Sequence, residues 1–127
     1  MIEFTIPLNP RSKKNSQEIV RPKGRPPLIV QNKRYKEYEK ACKEFMPILD
    51  KPIDYPVNVT ALFYRKDKRR VDLTNLEQAL SDILVKYGVL ADDNYKVLVS
   101  YDGSRVFVDA NNPRTEVCIM EMLEVIK

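Results

Sequence analysis

Proline placement restricts what this chain can fold into more than any other feature. Of nine prolines in 127 residues, Pro10, Pro22, Pro26 and Pro27 break the stretch that follows the first strand, and Pro52 and Pro56 lie in a linker. Proline has no amide hydrogen to give to a central strand. Ser16–Arg21 and Leu28–Gln31 are therefore limited to short edge strands or a ribbon. Regular strands are expected only where alternation is uninterrupted. One is Ile2–Pro7, with Ile2, Phe4 and Ile6 on one face, and another is Val57–Tyr64, with Val57, Val59, Ala61 and Phe63 on one side.

Two helices are expected between and after these strands. From Arg34 to about Phe45, Tyr35, Tyr38, Ala41, Cys42 and Phe45 recur at helical spacing until Pro47 ends the run. This aromatic stripe reads as core more readily than as a stacking surface for bases. The second helix is predicted to start at Asn75, because Thr74-Asn75-Leu76-Glu77 has the form of a capping box. Leu76, Leu80, Ile83, Leu84 and Tyr87 make its apolar stripe, and Gly88 its stop. Asn75, Gln78 and Asp82 share the polar face. Tyr95–Tyr101, Arg105–Val108 and Thr115–Met122 follow as strands. Asp102-Gly103 marks either a hairpin or a bulge in one long strand, and the bulge is preferred.

The expectation is one α+β domain over residues 1–127, with a mixed sheet of four to five strands packed with two main helices. A hydrophobic fraction of 43% and a charged fraction of 31% exclude disordered and collagen-like classes. No signal peptide or membrane span is visible, which points to the cytoplasm.

Charge is unevenly distributed. The net value is only +4. Yet residues 8–36 carry Arg11, Lys13, Lys14, Arg21, Lys23, Arg25, Lys33, Arg34 and Lys36 against Glu18 alone, and a second basic cluster spans Arg65–Arg70. A long, charged, irregular segment at about 8–34 is a candidate substrate arm, and phosphate is the natural ligand for a basic face. An ordinary solvated surface is the alternative.

Histidine is absent, which excludes serine–histidine triads, cysteine–histidine pairs and histidine-ligated zinc. Cys42 and Cys118 form no Cys-x-x-Cys pair and read as free thiols. Catalysis would thus fall to carboxylates. A helix over Asn75–Tyr87 is about 20 Å long, and Gly88–Asp93, nearly extended, could just cover that distance on return. Asp92 or Asp93 could then approach Asp72. Crowded carboxylates favour a hard divalent cation between them, and such an ion activates water beside a phosphodiester without any histidine. The alternative is that Asp72 merely caps the turn and Asp92-Asp93 is a connecting loop.

The run Arg69-Arg70-Val71-Asp72-Leu73-Thr74-Asn75-Leu76-Glu77-Gln78-Ala79-Leu80-Ser81-Asp82-Ile83-Leu84, followed by Gly88-Val89-Leu90-Ala91-Asp92-Asp93, resembles the signature of the RusA Holliday junction resolvases, phage and prophage members included. The resemblance is specific over about residues 65–97. It implies a homodimeric, magnesium-dependent endodeoxyribonuclease, with manganese a possible substitute, that resolves four-way or branched DNA in recombination and repair. By position it assigns Asp72 and Asp93, with Asp92 their neighbour, as catalytic carboxylates and metal ligands, and Asn75 as the motif asparagine and a DNA contact; Thr74 and Gln78 occupy the remaining catalytic positions. Thr74 stands where the pattern has a second aspartate, and Gln78 where it has a lysine. Losing an electrostatic contribution of that kind commonly costs about 10² to 10³ in rate. The family's aromatic wedge has no counterpart in Asn9–Asn15. Lys13, Lys14, Arg21, Lys23, Arg25, Lys68, Arg69 and Arg70 remain as phosphate contacts. Other possibilities are a RusA-like protein that binds DNA with weakened catalysis, or a small basic RNA-binding protein.

Overall fold

The computed structural model describes residues 1–13, 17–31 and 33–122. Its elements are β1 (Ile2–Ile6), β2 (Gln17–Val20), β3 (Leu28–Gln31), α1 (Lys33–Cys42), β4 (Val57–Arg65), α2 (Leu73–Lys86), β5 (Leu98–Ser100), β6 (Arg105–Val108) and β7 (Arg114–Glu121). The fold is α+β: a mixed five-strand sheet with two helices, and β2–β3 as a separate antiparallel ribbon. The ribbon is where the proline-broken segment was expected to make one.

β4 organises the sheet. Its alternation buries Val57, Val59, Ala61 and Phe63 almost completely. β7 pairs antiparallel along its whole length, from Val57↔Glu121 to Tyr64↔Arg114, and β1 pairs antiparallel to β7. On the other side β5 and β6 both run parallel to β4. Parallel neighbours need a crossover, and α2 supplies it. Its face of Leu76, Ala79, Leu80, Ile83 and Leu84 is at most 2% exposed and joins the β4 residues in one core. Each large side chain buried there contributes about 1.5–3 kcal/mol of transfer free energy.

Tyr35, Tyr38 and Cys42 are buried on α1, so the aromatic stripe belongs to the core. A 3₁₀ turn, Lys43–Phe45, continues α1 before Pro47. Burial raises the Cys42 thiol pKa to about 11, against a hydrogen bond from Tyr38 that lowers it. Neither cysteine is in a disulfide.

Asp102-Gly103 interrupts one strand direction and is not a hairpin. The register moves from Val57↔Leu98 to Leu62↔Arg105, so five steps along β4 match seven along the β5–β6 path, and two residues loop out. Asn58 pins that loop: its Oδ1 accepts from Ser100 Oγ at 2.5 Å and from the Asp102 amide at 2.8 Å, while its Nδ2 donates to the Asp102 carbonyl at 3.2 Å. Gly103 adopts φ +85°, and a Cβ there would lie 3.4 Å from Thr60 Cγ2.

Three local expectations need correction. α2 starts at Leu73, not Asn75, with Asp72 in the N-cap position, and the Thr74–Glu77 capping box does not form. The helix draws its start from backbone bonds of the Asn75 and Leu76 amides to the Asp72 carbonyl. β5 starts at Leu98 instead of Tyr95, because the Val97 and Leu98 amides close a turn on the Asn94 carbonyl. Finally, the return from Gly88 is not an extended run. Val89 and Leu90 are buried, their amides bond the Leu84 carbonyl, and Leu90 bridges Ile53 in parallel. Gly88 does stop the helix, at φ +75°. Its amide bonds Val85 while that of Val89 reaches Leu84, a Schellman arrangement. Apolar burial of Val89 and Leu90 thus takes precedence over a direct path back.

Candidate active site

Asp72 sits at the junction of the basic run and α2. Its N-cap position would ordinarily commit the side chain to an exposed amide of the first turn. Here it makes no such bond. The carboxylate is exposed and accepts instead from Asn75 Nδ2 at 3.3 Å. Asn75, one turn into the helix, therefore orients Asp72 and leaves most of its oxygen lone pairs facing solvent.

The two following acids divide their tasks. Asp92 Oδ1 accepts from the Asp93 amide at 2.7 Å and Oδ2 from Asn94 Nδ2 at 3.0 Å, which makes Asp92 the organiser of the turn. The Asp93 carboxylate has no hydrogen bond or ion pair among the described residues. Its charge reaches Tyr101, whose hydroxyl lies against α2, 2.6 Å from Ser81 Oγ and 3.1 Å from the Glu77 carbonyl. Burial pushes the Tyr101 pKa well up; the Ser81 hydrogen bond opposes this, and the charges of Glu77, Asp82 and Asp93 add to it. Tyr101 and Ser81 thus tie the strand after the acidic turn to the middle of α2. Neither had a sequence signal beyond its place in an apolar or helical run.

Thr74 and Gln78 are both exposed on the first two turns of α2, open to a ligand. Asp82, one turn beyond Gln78, holds Lys13 Nζ at 2.8 Å, and Lys13 also lies 5.9 Å from the centre of the Tyr35 ring. The root of the arm is fixed a second time where Asn9 Oδ1 accepts the Lys66 amide at 2.8 Å. Pro10 and Ser12 are buried between these anchors. The arm therefore leaves the body beside the polar face of α2.

The Arg65–Arg70 segment adds cations at the same end. Arg65 Nη1 donates to the Arg69 carbonyl at 2.6 Å, and Asp67 Oδ1 accepts the Arg69 amide at 3.0 Å. Arg65 has its pKa lowered mainly by burial; Asp67 opposes this, and the charges of Arg11 and Arg69 contribute to the lowering. Arg11 and Arg65 thus belong to this cationic group, although the run of charge alone gave no reason to separate them from their neighbours. Lys68, Arg69 and Arg70 are exposed. Arg21, Lys23 and Arg25 are exposed at the connection between β2 and β3; Lys14 lies outside the described residues. Lys86, at the opposite end of α2, is paired with Glu39 at 2.5 Å.

Among the described residues no three carboxylates or thiols gather into a cage for a metal ion. Magnesium does not require one, since it commonly keeps several waters and is held by one or two carboxylates together with substrate phosphate. Asp72 and Asp93 each expose a carboxylate of the kind that open mode uses; nothing among the described residues fits a closed zinc or calcium site.

The family profile described as endodeoxyribonuclease RusA matches residues 7–120. This chain belongs to the RusA family. The match takes in the arm, both helices and the strands of the sheet other than β1. RusA proteins are endodeoxyribonucleases that act on Holliday junctions and are generally dependent on divalent metal, and DNA is accordingly the partner class. Among curated proteins none matches the chain. No helix among the described residues is long and apolar enough to cross a membrane.

Proposed function

We propose that the protein is a magnesium-dependent, structure-selective endodeoxyribonuclease that acts as a homodimer on four-way or branched DNA, in recombination and repair in the cytoplasm. The observation that carries this reading is the state of Asp72. A carboxylate placed where it could cap a helix is instead turned to solvent by Asn75, next to a concentration of arginine and lysine. Residues 1–127 act as one domain, with residues of about 8–34 as its DNA-binding arm.

In this reading Asp72 and Asp93 hold the ion, and Asp92 sets the turn that presents Asp93. Magnesium held there, or manganese in its place, would supply Lewis acidity at the phosphodiester and make water a better nucleophile. Hydrolysis forms one P–O bond to the water oxygen and breaks one P–O bond to a sugar oxygen; the proton of the water passes to solvent, and the leaving sugar oxygen takes a proton from solvent to become a hydroxyl. Thr74 and Gln78 offer neutral hydrogen bonds to phosphate oxygens. Lys68, Arg69 and Arg70, with Arg11 and Arg65 behind them, draw the backbone to the site. Lys13, Lys14, Arg21, Lys23 and Arg25 track it outward. The electrostatics are weaker than a lysine at position 78 would give, so turnover is expected to be slow.

The test is incubation with a synthetic four-way junction, with and without magnesium or manganese, beside Asp72→Asn and Asp93→Asn. Metal-dependent nicks that both variants lose support the proposal. Junction binding without nicks assigns the weakened, DNA-binding role, and preference for RNA overturns both.

A further inference from the structure

β6 is an outermost strand. Among the described residues it pairs with β4 alone, and all four of its residues are exposed. The Asp109 amide donates to the Arg65 carbonyl of β4 at 2.8 Å. Successive residues in a strand direct their backbone groups to opposite sides. Phe107 must then face β4 as Asp109 does, and the N–H and C=O groups of Val106 and Val108 point outward to solvent. Open edges are usually blunted by proline, a bulge or inward charge. This one is short and follows the two-residue loop-out at Asp102-Gly103, yet its four residues include no proline and it presents Val106, Phe107 and Val108 at 38, 40 and 49% exposure.

We infer that a second copy of this chain covers the edge, with β6 pairing antiparallel to itself about Phe107. Arg105-Val106-Phe107-Val108-Asp109 is its own complement in that register. Val106 and Val108 of the two copies exchange their outward N–H and C=O groups. Phe107 meets Phe107 of the partner subunit as a non-hydrogen-bonded pair, and Arg105 falls opposite Asp109 of the partner subunit. Asp109 is already fixed by Arg114 at 3.0 Å and by the Asn111 and Asn112 amides, so little order has to be created on that side. Phe107 is likewise fixed by its stack on Tyr64, with ring centres 4.9 Å apart and Arg114 on the other face of Tyr64. A slip of two residues would separate the charges and set Phe107 against one of them. A two-fold axis through such a pair stands perpendicular to the sheet. Both α2 helices, and with them both Asp72 sites, would then lie on the same side of a continuous sheet, as two nicks in one junction require.

This assignment rests on the homodimer in the proposed function, and its test separates the two. Non-hydrogen-bonded antiparallel pairs bring Cα atoms to about 4.5 Å, within the span of a disulfide. In a Cys118→Ala background, Phe107→Cys is expected to oxidise to a covalent dimer on a non-reducing gel. Val106→Cys is expected not to, because its own copy lies on the diagonal at about 7–8 Å. Val108→Pro removes only an outward amide, so the folded monomer loses no sheet bond, while the dimer dissociation constant should rise about tenfold or more in sedimentation. A wild-type chain that stays monomeric at all concentrations overturns the dimer and this surface together. A wild-type dimer in which Phe107→Cys does not cross-link, or Val106→Cys cross-links equally, overturns the surface alone.

Discussion

The two faces of α2 obey opposite rules. Leu76, Ala79, Leu80, Ile83 and Leu84 are sealed against the sheet at 0–2% exposure. Asp72, Thr74 and Gln78, on the same 14-residue helix or at its cap, are left open to solvent. One face is fixed by volume, since interiors are close-packed and each methylene is felt. The other is fixed by charge and hydrogen-bonding direction, which cost little stability to change and much function. The contrast teaches that substitutions on the two faces should separate into stability effects and activity effects with little overlap.

Truncation of the sealed face should have the largest effect. Ile83→Ala is expected to lower unfolding free energy by about 2–5 kcal/mol through lost burial and a cavity, read from urea or thermal melts. Asp72→Asn and Asp93→Asn should leave those melts within about 0.5 kcal/mol of the parent, because neither carboxylate caps a helix or closes an ion pair among the described residues. Their junction nicking should nonetheless fall by about 10² or more. A destabilised Asp72→Asn would mean that its carboxylate serves the fold after all, and the contrast between the faces would be lost at its most important position.

That division also explains what was legible in the sequence. The sealed face, the alternation of β4, the glycine stop at Gly88 and the ribbon of β2 and β3 all follow from periodicity or backbone chemistry, which local sequence states directly. The start of α2 was misplaced because Thr74 and Glu77 satisfy a pattern whose bonds the structure does not make; backbone bonds to Asp72 suffice. The path after Gly88 was misjudged because its destination is set by a tertiary contact, Leu90 with Ile53, that no local pattern announces. Within the site, residue type and spacing pointed to Asp72, Asp92 and Asp93 but could not tell a turn-forming Asp92 from an open Asp93. Tyr101, Ser81 and Arg65 were not legible because their roles arise from packing. The division of the basic residues into a fixed root at Lys13 and exposed positions farther out was hidden for the same reason.

Smaller effects should sharpen the comparison on the solvent face. Gln78→Lys restores a cation one turn from Asp82 and is expected to raise nicking by about tenfold, with no change in melting beyond about 0.5 kcal/mol. An unchanged rate would mean that Lys13, already seated at Asp82, supplies the charge that the substrate needs. On the arm, the pair Lys23→Ala and Arg25→Ala should weaken junction binding and flatten its salt dependence, by about one in the log–log slope for each phosphate that is no longer neutralised. Melts should not move, because both residues are exposed.

The smallest effect tests the boundary between the faces, at Glu77. Its carboxyl pKa is raised above the ordinary glutamate range by burial, and the residue is only half-buried, so the energy involved is partly screened. A raised pKa in an acid means that the folded state binds protons more readily than the unfolded chain. Stability from this group is therefore greatest below the ordinary glutamate pKa, and it falls as pH rises through the window up to the raised folded value. Glu77→Gln removes that dependence. It should make the protein slightly more stable than the parent at neutral pH and leave no advantage in acid, as denaturant melts at both ends of the window would show. If Glu77→Gln is instead destabilising at neutral pH, the Glu77 carboxylate has a favourable partner when charged, and the solvent face of α2 extends one residue farther into the site than Asp72, Thr74 and Gln78 define.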